Sequence, residues 1–151
     1  MTVEPSPPSM PSVPSGATIR PATVGEAAAV LALWRTADAP PTHTDDVAGI
    51  ERLLRHDPGA LLVADDRGRL VGSVVAGWDG WRGSIHRLVV APDRRRTGLA
   101  RRLLAAAEDR LAALGGRRTQ AIVVATDADA VGFWSASGWE RQADRLRFVR
   151  G

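Results

Sequence analysis

The run from Ser84 to Leu114 constrains the fold more than any other part of this chain. Leu88, Val89, Val90 and Ala91 end a strand-like segment at Pro92. Arg94, Arg95 and Arg96 follow, and Gly98 then opens a segment in which Leu99, Leu103, Leu104, Ala107 and Leu111 recur at helical spacing. A strand that enters a tight turn and leaves as an amphipathic helix needs a sheet for the helix to cover. The first turn of that helix has N–H groups without intrahelical partners and the positive end of the helix dipole. Gly98 and Ala100 keep bulky side chains away, so an anion can approach the backbone closely. Two flanking arginines suit a pyrophosphate better than a lone carboxylate.

The remaining elements complete an α/β domain. Thr18–Ile19–Arg20–Pro21 reads as a short edge strand closed by proline. Thr23 and Glu26 form a capping-box pair before a helix with Ala27, Val30, Leu31 and Trp34 on one face, ended by Ala39–Pro40–Pro41. A second helix is expected from about Thr44 to Arg55, with Val47, Ile50, Leu53 and Leu54 inward. Residues 60–64 and 70–76 read as a hairpin around Asp65–Asp66–Arg67–Gly68. Gly77 to Gly83 is expected to be a loop and Ser84 to Ala91 a strand. Gly115–Gly116 caps the long helix. Thr119 to Ala125 reads as a strand covered on both faces. Asp127 to Ser137 is a short helix capped by Gly138, and Leu146 to Val149 a last strand. The class is α/β, a mixed sheet with helices on both faces.

Residues 1–17 are dominated by Pro and Ser and are expected to be a disordered tail, leaving 18–151 as one domain. No apolar run approaches the roughly 20 residues of a membrane helix, and the N-terminus lacks the pattern of a secretory signal, so a cytoplasmic protein without a membrane partner is expected. The absence of cysteine excludes disulfides and thiolate metal sites. With only His43, His56 and His86 in addition, no metal is expected. All 20 basic residues are arginine, against 17 acids, for a net charge of +3. Acids are interspersed everywhere except at Arg94–Arg96, and no basic stripe with interleaved aromatics runs along the chain, which argues against a nucleic-acid partner.

Downstream of the arginine loop lies Asp127-x-x-Ala130-x-x-Phe133–Trp134-x-x-x-Gly138–Trp139. This order resembles the GNAT acetyltransferase superfamily. Its core runs strand, Q/R-x-x-G-x-G/A loop, helix, strand, then N-x-x-A-x-x-x-Y-x-x-x-G-F/Y. Arg95, Gly98 and Ala100 meet the first motif; Ala130 and Gly138 meet the second, with Trp139 as its aromatic end. The loop Gly77–Trp78–Asp79–Gly80–Trp81–Arg82–Gly83, with Leu33–Trp34, further resembles small bacterial members of the YpeA type.

The resemblance implies a mostly antiparallel sheet with a V-shaped splay between its two central strands, where acetyl-CoA sits as acyl donor. It implies that Leu88, Val89 and Val90 pair with the pantetheine arm. The pyrophosphate would rest on the loop formed by Arg95, Arg96, Thr97, Gly98, Leu99, Ala100 and Arg101. Asp127, Phe133 and Trp134 would flank the coenzyme. An amine acceptor would attack the thioester directly, past Trp34, Asp79 and Arg82, with His86 as the base that accepts its proton. His86 is expected on the same face as Leu88 and Val90 by strand alternation. A homodimer is the assembly the family suggests.

Two positions depart from the pattern. Asp127 replaces the family's Asn and can still N-cap its helix. Trp134 replaces the Tyr that often protonates the leaving thiolate, and an indole N–H is no useful acid at neutral pH. The chain has no Tyr at all. The competing readings are therefore an N-acetyltransferase, an acyl-CoA-binding protein with little or no turnover, and an Arg-rich nucleic-acid binder resting on Arg94–Arg96 alone.

Overall fold

The computed structural model describes residues 16–37, 39 and 42–151. These form two compact bodies, one ending at Gln120 and one beginning at Ala121. The disordered tail expected over 1–17 lies outside the described residues as far as residue 15, and so do Pro40 and Pro41. Ala17, assigned to that tail, is buried, and its carbonyl accepts a hydrogen bond from Arg102 at 2.9 Å.

The first body begins with strand β1, Thr18–Pro21, at the sheet edge. The Thr23 N–H donates to Glu26 Oε1 at 2.9 Å, closing the expected capping box on a short 3-10 turn. That turn leads into helix α1, Ala27–Thr36, which buries Ala27, Val30, Leu31, Leu33 and Trp34. Helix α2, Val47–His56, starts three residues later than the sequence suggests. Asp46 takes the N-cap, accepting from the Gly49 N–H at 2.6 Å, while Asp45 instead closes a separate turn with Thr42.

Strands β2, Leu61–Asp66, and β3, Arg69–Trp78, form the expected hairpin. Arg67 and Gly68 both have positive φ, 53° and 92°, the geometry that two-residue hairpin turns require. Strand β4, Gly83–Val90, pairs antiparallel with β3. The loop expected over Gly77–Gly83 shrinks to Asp79–Arg82. The Asp79 carboxylate accepts the N–H groups of Trp81 (2.8 Å) and Arg82 (2.6 Å), so the ladder continues through Gly77↔Ser84 and Trp78↔Gly83.

Helix α3, Leu99–Ala113, buries the five apolar residues the spacing selects, Leu99, Leu103, Leu104, Ala107 and Leu111. Its end is a Schellman motif: the Gly116 N–H donates to Leu111 O at 2.8 Å and the Gly115 N–H to Ala112 O at 3.0 Å, with Gly115 at φ 94°. Strand β5, Thr119–Ala121, completes the sheet order β1-β2-β3-β4-β5. Helices cover both faces of β3. A Cβ on Gly72 would lie 2.8 Å from Leu103 of α3, whereas the next residue, Ser73, accepts a hydrogen bond from Trp34 of α1 on the opposite face.

The second body contains helix α4, Ala128–Ala136. Asp127 N-caps it, accepting from the Ala130 N–H at 3.0 Å, and Gly138 at φ 84° ends it in a second Schellman motif. Two strand expectations fail. The strand expected to Ala125 stops at Ala121, and Ile122 and Val124 are 55% and 64% exposed. The chain turns there, with the Asp127 N–H donating to Val124 O. Leu146–Val149 forms no strand, and Leu146, Phe148 and Val149 are exposed. An apolar run becomes a strand only where a neighbour takes its backbone hydrogen bonds, and no ladder holds residues 122–125 or 146–149 among the described residues.

The edge of the first body carries a charge network with a measurable consequence. Arg20 grips Glu26 through two hydrogen bonds (2.8 and 2.7 Å) and also reaches Asp65. That pairing holds the Glu26 carboxyl down at about 2. In the unfolded chain Glu26 takes up its proton near 4.5, so the network stabilises fully above that pH and its contribution disappears as pH falls toward 2. Glu26→Gln is expected to flatten the acid limb of a melting-temperature–pH curve below about pH 4.5; parallel acid limbs for variant and wild type would contradict this.

Candidate coenzyme loop and acceptor side

The β4–α3 connection passes through a 3-10 turn, Pro92–Arg94, and then an extended Arg95. Arg96 (φ 63°) and Gly98 (φ 82°) both occupy the left-handed region. For Gly98, the N-cap of α3, a side chain would be strained whatever the space around it. The space is in fact open: a Cβ there would meet no atom within 4 Å. The amides that follow begin α3 and lack carbonyl partners within the helix. Leu99 has only its backbone to offer there, since its side chain is buried.

The three consecutive arginines have separate tasks. Arg94 pairs with Asp66 at 2.5 Å, pinning the turn to the β2–β3 hairpin, and Arg69 pairs with Asp93 beside it. Arg95 donates to the carbonyl of Ala37, at the end of α1, at 3.3 Å. Arg96 and Arg101 are exposed and enter no ion pair among the described residues. The Thr97 hydroxyl donates to Arg94 O at 2.6 Å, which tightens the turn.

Strand β4 contains a bulge that the sequence reading overlooked. Ser73 pairs with Val89 and Val75 with His86, so one residue of β3, Val74, opposes two of β4, Arg87 and Leu88. Arg87, at φ 50°, lies in this interval. The extra residue reverses the side-chain phase. Val90, paired with Gly72, belongs to the α3 face together with Leu88, whereas His86, paired with Val75, belongs to the α1 face. The expectation that His86 shares a face with Leu88 and Val90 is thus incorrect. The signal was present: Ile85 and Leu88 are three residues apart where regular alternation requires two.

On the acceptor side, His86 is exposed and its Nε2 lies 3.1 Å from Ser84 Oγ. Ser84, Asp79, Trp81, Arg82 and Gln120 are among the residues lining a groove of about 380 Å3 at the β3–β4 hairpin. Arg82 lies over the Trp81 ring, 3.9 Å from its centroid. The Arg82 and Trp81 amides hold the Asp79 carboxyl below its ordinary range. Trp34 does not belong with this group. It is 4% exposed, and its Nε1–H donates to Ser73 Oγ at 2.8 Å, so it is a core residue. In the second body, Trp134 packs edge-on against both Phe133 and Trp139.

A strand that runs through a left-handed turn into a helix N-terminus presents backbone amides that suit an anion. The sequence profile of the acetyltransferase (GNAT) family matches residues 28–139. An acetyltransferase of Pectobacterium atrosepticum is 43% identical over 103 residues, 68% of this chain and 72% of the relative. An acetyltransferase of Yersinia pestis is 41% identical over 114 residues, 75% of this chain and 80% of the relative. Among solved structures, the aminoglycoside N-acetyltransferase AAC(6')-Iy in complex with CoA superposes with a TM-score of 0.74 at 21% identity, covering 92% of this chain and 98% of that one. Ard1 from Thermoplasma volcanium gives 0.75 at 21% identity, covering 84% of each. The chain belongs to the GNAT acetyltransferase family.

Proposed function

We propose that this acetyltransferase moves the acetyl group of acetyl-CoA directly to a primary amine on a small molecule, an amino acid or a protein N-terminus. The cradle at Gly98 is the observation that carries this reading: two left-handed residues, first-turn amides and open space above them. The pyrophosphate would rest on the amides of Arg95 through Ala100, with Arg96 and Arg101 reaching its oxygens. The pantetheine arm would then run back along β4 past Val90 and Val89. The CoA held by AAC(6')-Iy supports acetyl-CoA as donor. Asp127, Phe133 and Trp134 are proposed as further coenzyme contacts on the family pattern alone.

In the proposed reaction the amine nitrogen attacks the thioester carbonyl. The C–N bond forms, the C–S bond breaks, sulfur leaves as thiolate, and the proton shed by nitrogen passes to a base. His86 is the proposed base, since its imidazole is exposed on the α1 face next to the groove that Asp79 and Arg82 line. In that groove Asp79 would attract an ammonium group and Arg82 a carboxylate. His86→Ala is expected to lower turnover at saturating acetyl-CoA by about 10²-fold while acetyl-CoA still stabilises the protein. A variant whose pH–rate profile matches wild type would count against the base role.

Trp134 in place of an acidic Tyr favours a second reading, an acyl-CoA-binding protein with little turnover. Release of free CoA thiol in the presence of a panel of amines distinguishes the two. Amine-dependent release is expected; stabilisation by acetyl-CoA without release for any amine would favour the binding protein.

A further inference from the structure

Arg87 combines features that the proposed reaction leaves unused. It lies in the β4 bulge at φ 50°, a conformation that costs a non-glycine residue energy and persists only where its surroundings hold it. Its carbonyl accepts from Ser73 Oγ at 2.9 Å, and that hydroxyl in turn accepts from Trp34 Nε1 at 2.8 Å. Ser73 is fully buried, so this chain of hydrogen bonds fixes the bulge from within the core. The guanidinium stands 5.2 Å from the centroid of the Trp34 ring and forms an ion pair with Asp45, their side chains only 18% and 11% exposed.

Asp45 precedes the N-cap of α2. The oxygen that meets Arg87 also accepts from the Thr42 N–H (2.7 Å) and the Thr42 hydroxyl (3.0 Å), so one carboxylate organises the whole Thr42–Asp46 turn. At the other end of the α1–α2 connection, the Ala37 carbonyl is held by Arg95. The connection is therefore fastened at both ends by arginines from the β4–α3 unit. With the pyrophosphate after β4 and the pantetheine arm beside Val90, Val89 and Leu88, the acyl carbon would come to the next residues back along the strand, Arg87 and His86.

We infer that Arg87 is a positioning residue: by holding Asp45 it fixes the Thr42–Asp46 turn as a wall of the acceptor site, and so sets affinity for the amine without setting affinity for the coenzyme. This inference rests on the acetyltransferase reading above. Arg87→Met keeps the aliphatic stem and removes the charge, and Asp45→Asn removes the partner from the other side. Each is expected to raise KM for the amine about tenfold while KM for acetyl-CoA stays within about twofold. The double variant is expected to be no worse than the weaker single, because both remove one interaction. Arg87→Lys is expected to recover part of the loss.

Hydrogen exchange supplies a readout that needs no turnover: amides of Thr42–Asp46 should exchange faster in Arg87→Met. Should that variant fail to fold, Asp45→Asn gives the same reading. Faster exchange with an unchanged amine KM, or equal rises in both KM values, would overturn the inference. Faster exchange in a protein whose wild type acetylates no amine would support the tether while removing the proposed reaction.

Discussion

Gly98→Val is expected to abolish the thermal stabilisation that acetyl-CoA gives the wild type, in a chain that still folds. Gly98 has φ 82°, where an L-residue costs about 1–2 kcal/mol and a β-branched one more. No neighbouring atom lies within 4 Å of the missing Cβ, so the variant meets backbone strain but no collision, and the core is untouched. The added methyl groups would occupy the open space over the α3 N-terminus, where phosphate oxygens must come within hydrogen-bond distance of backbone N–H groups. At a ligand concentration near 100 times Kd, the wild type should gain about 2.7 kcal/mol, and the valine variant should gain almost none. Gly98→Ala should fall between them. Equal melting-temperature shifts for wild type and Gly98→Val would show that the coenzyme does not use this loop.

Leu103→Ala carries the largest expected loss of stability. Leu103 is fully buried in the middle of α3, against the β3 strand at Gly72. Truncation of such a residue costs about 2–5 kcal/mol, from lost burial and from the cavity left behind. For a domain of this size each kcal/mol lowers Tm by about 3–4 °C, so a fall of roughly 6–20 °C is expected. Gly72→Ala alone should also destabilise, because its Cβ would lie 2.8 Å from Leu103 Cδ1 and 3.3 Å from the Val89 carbonyl. In the double variant the alanine methyl enters the space that Leu103 vacates. The combined loss is therefore expected to be smaller than the sum of the two, measured by thermal or denaturant unfolding. Strict additivity would mean that Leu103 does not pack on Gly72.

Elements set by local chemistry were legible in the sequence. The Thr23–Glu26 box, the Arg67–Gly68 turn, the five-residue apolar face of α3 and the Asp127 cap all depend on residues within a few positions of one another. The left-handed turn into α3 was legible for the same reason: Gly98 and the arginines lie within a few positions of one another. What was not legible depends on distant partners. Thr119–Ala125 and Leu146–Val149 have the apolar character of strands, but whether they become strands depends on neighbours that periodicity does not reveal.

The acceptor side shows the same division. Asp79 and Arg82 were identified together and line one groove, but the backbone contacts of Asp79 were not foreseen. Trp34, which the sequence offers both as part of the apolar face of α1 and as an acceptor contact, is held inside by Ser73, a residue 39 positions away. The Arg87–Asp45 pair spans 42 positions and had no local signature. His86 was assigned to the wrong face because a single bulge residue changes the phase of every side chain on one side of it.

The proposed reaction requires that a pyrophosphate bind the backbone between β4 and α3. Amide chemical shifts of 15N-labelled protein titrated with CoA test it most directly. The largest perturbations are expected on Arg96, Thr97, Gly98, Leu99 and Ala100, with smaller ones at Val89 and Val90. Saturable binding that leaves the amides of Arg96–Ala100 unmoved would contradict it.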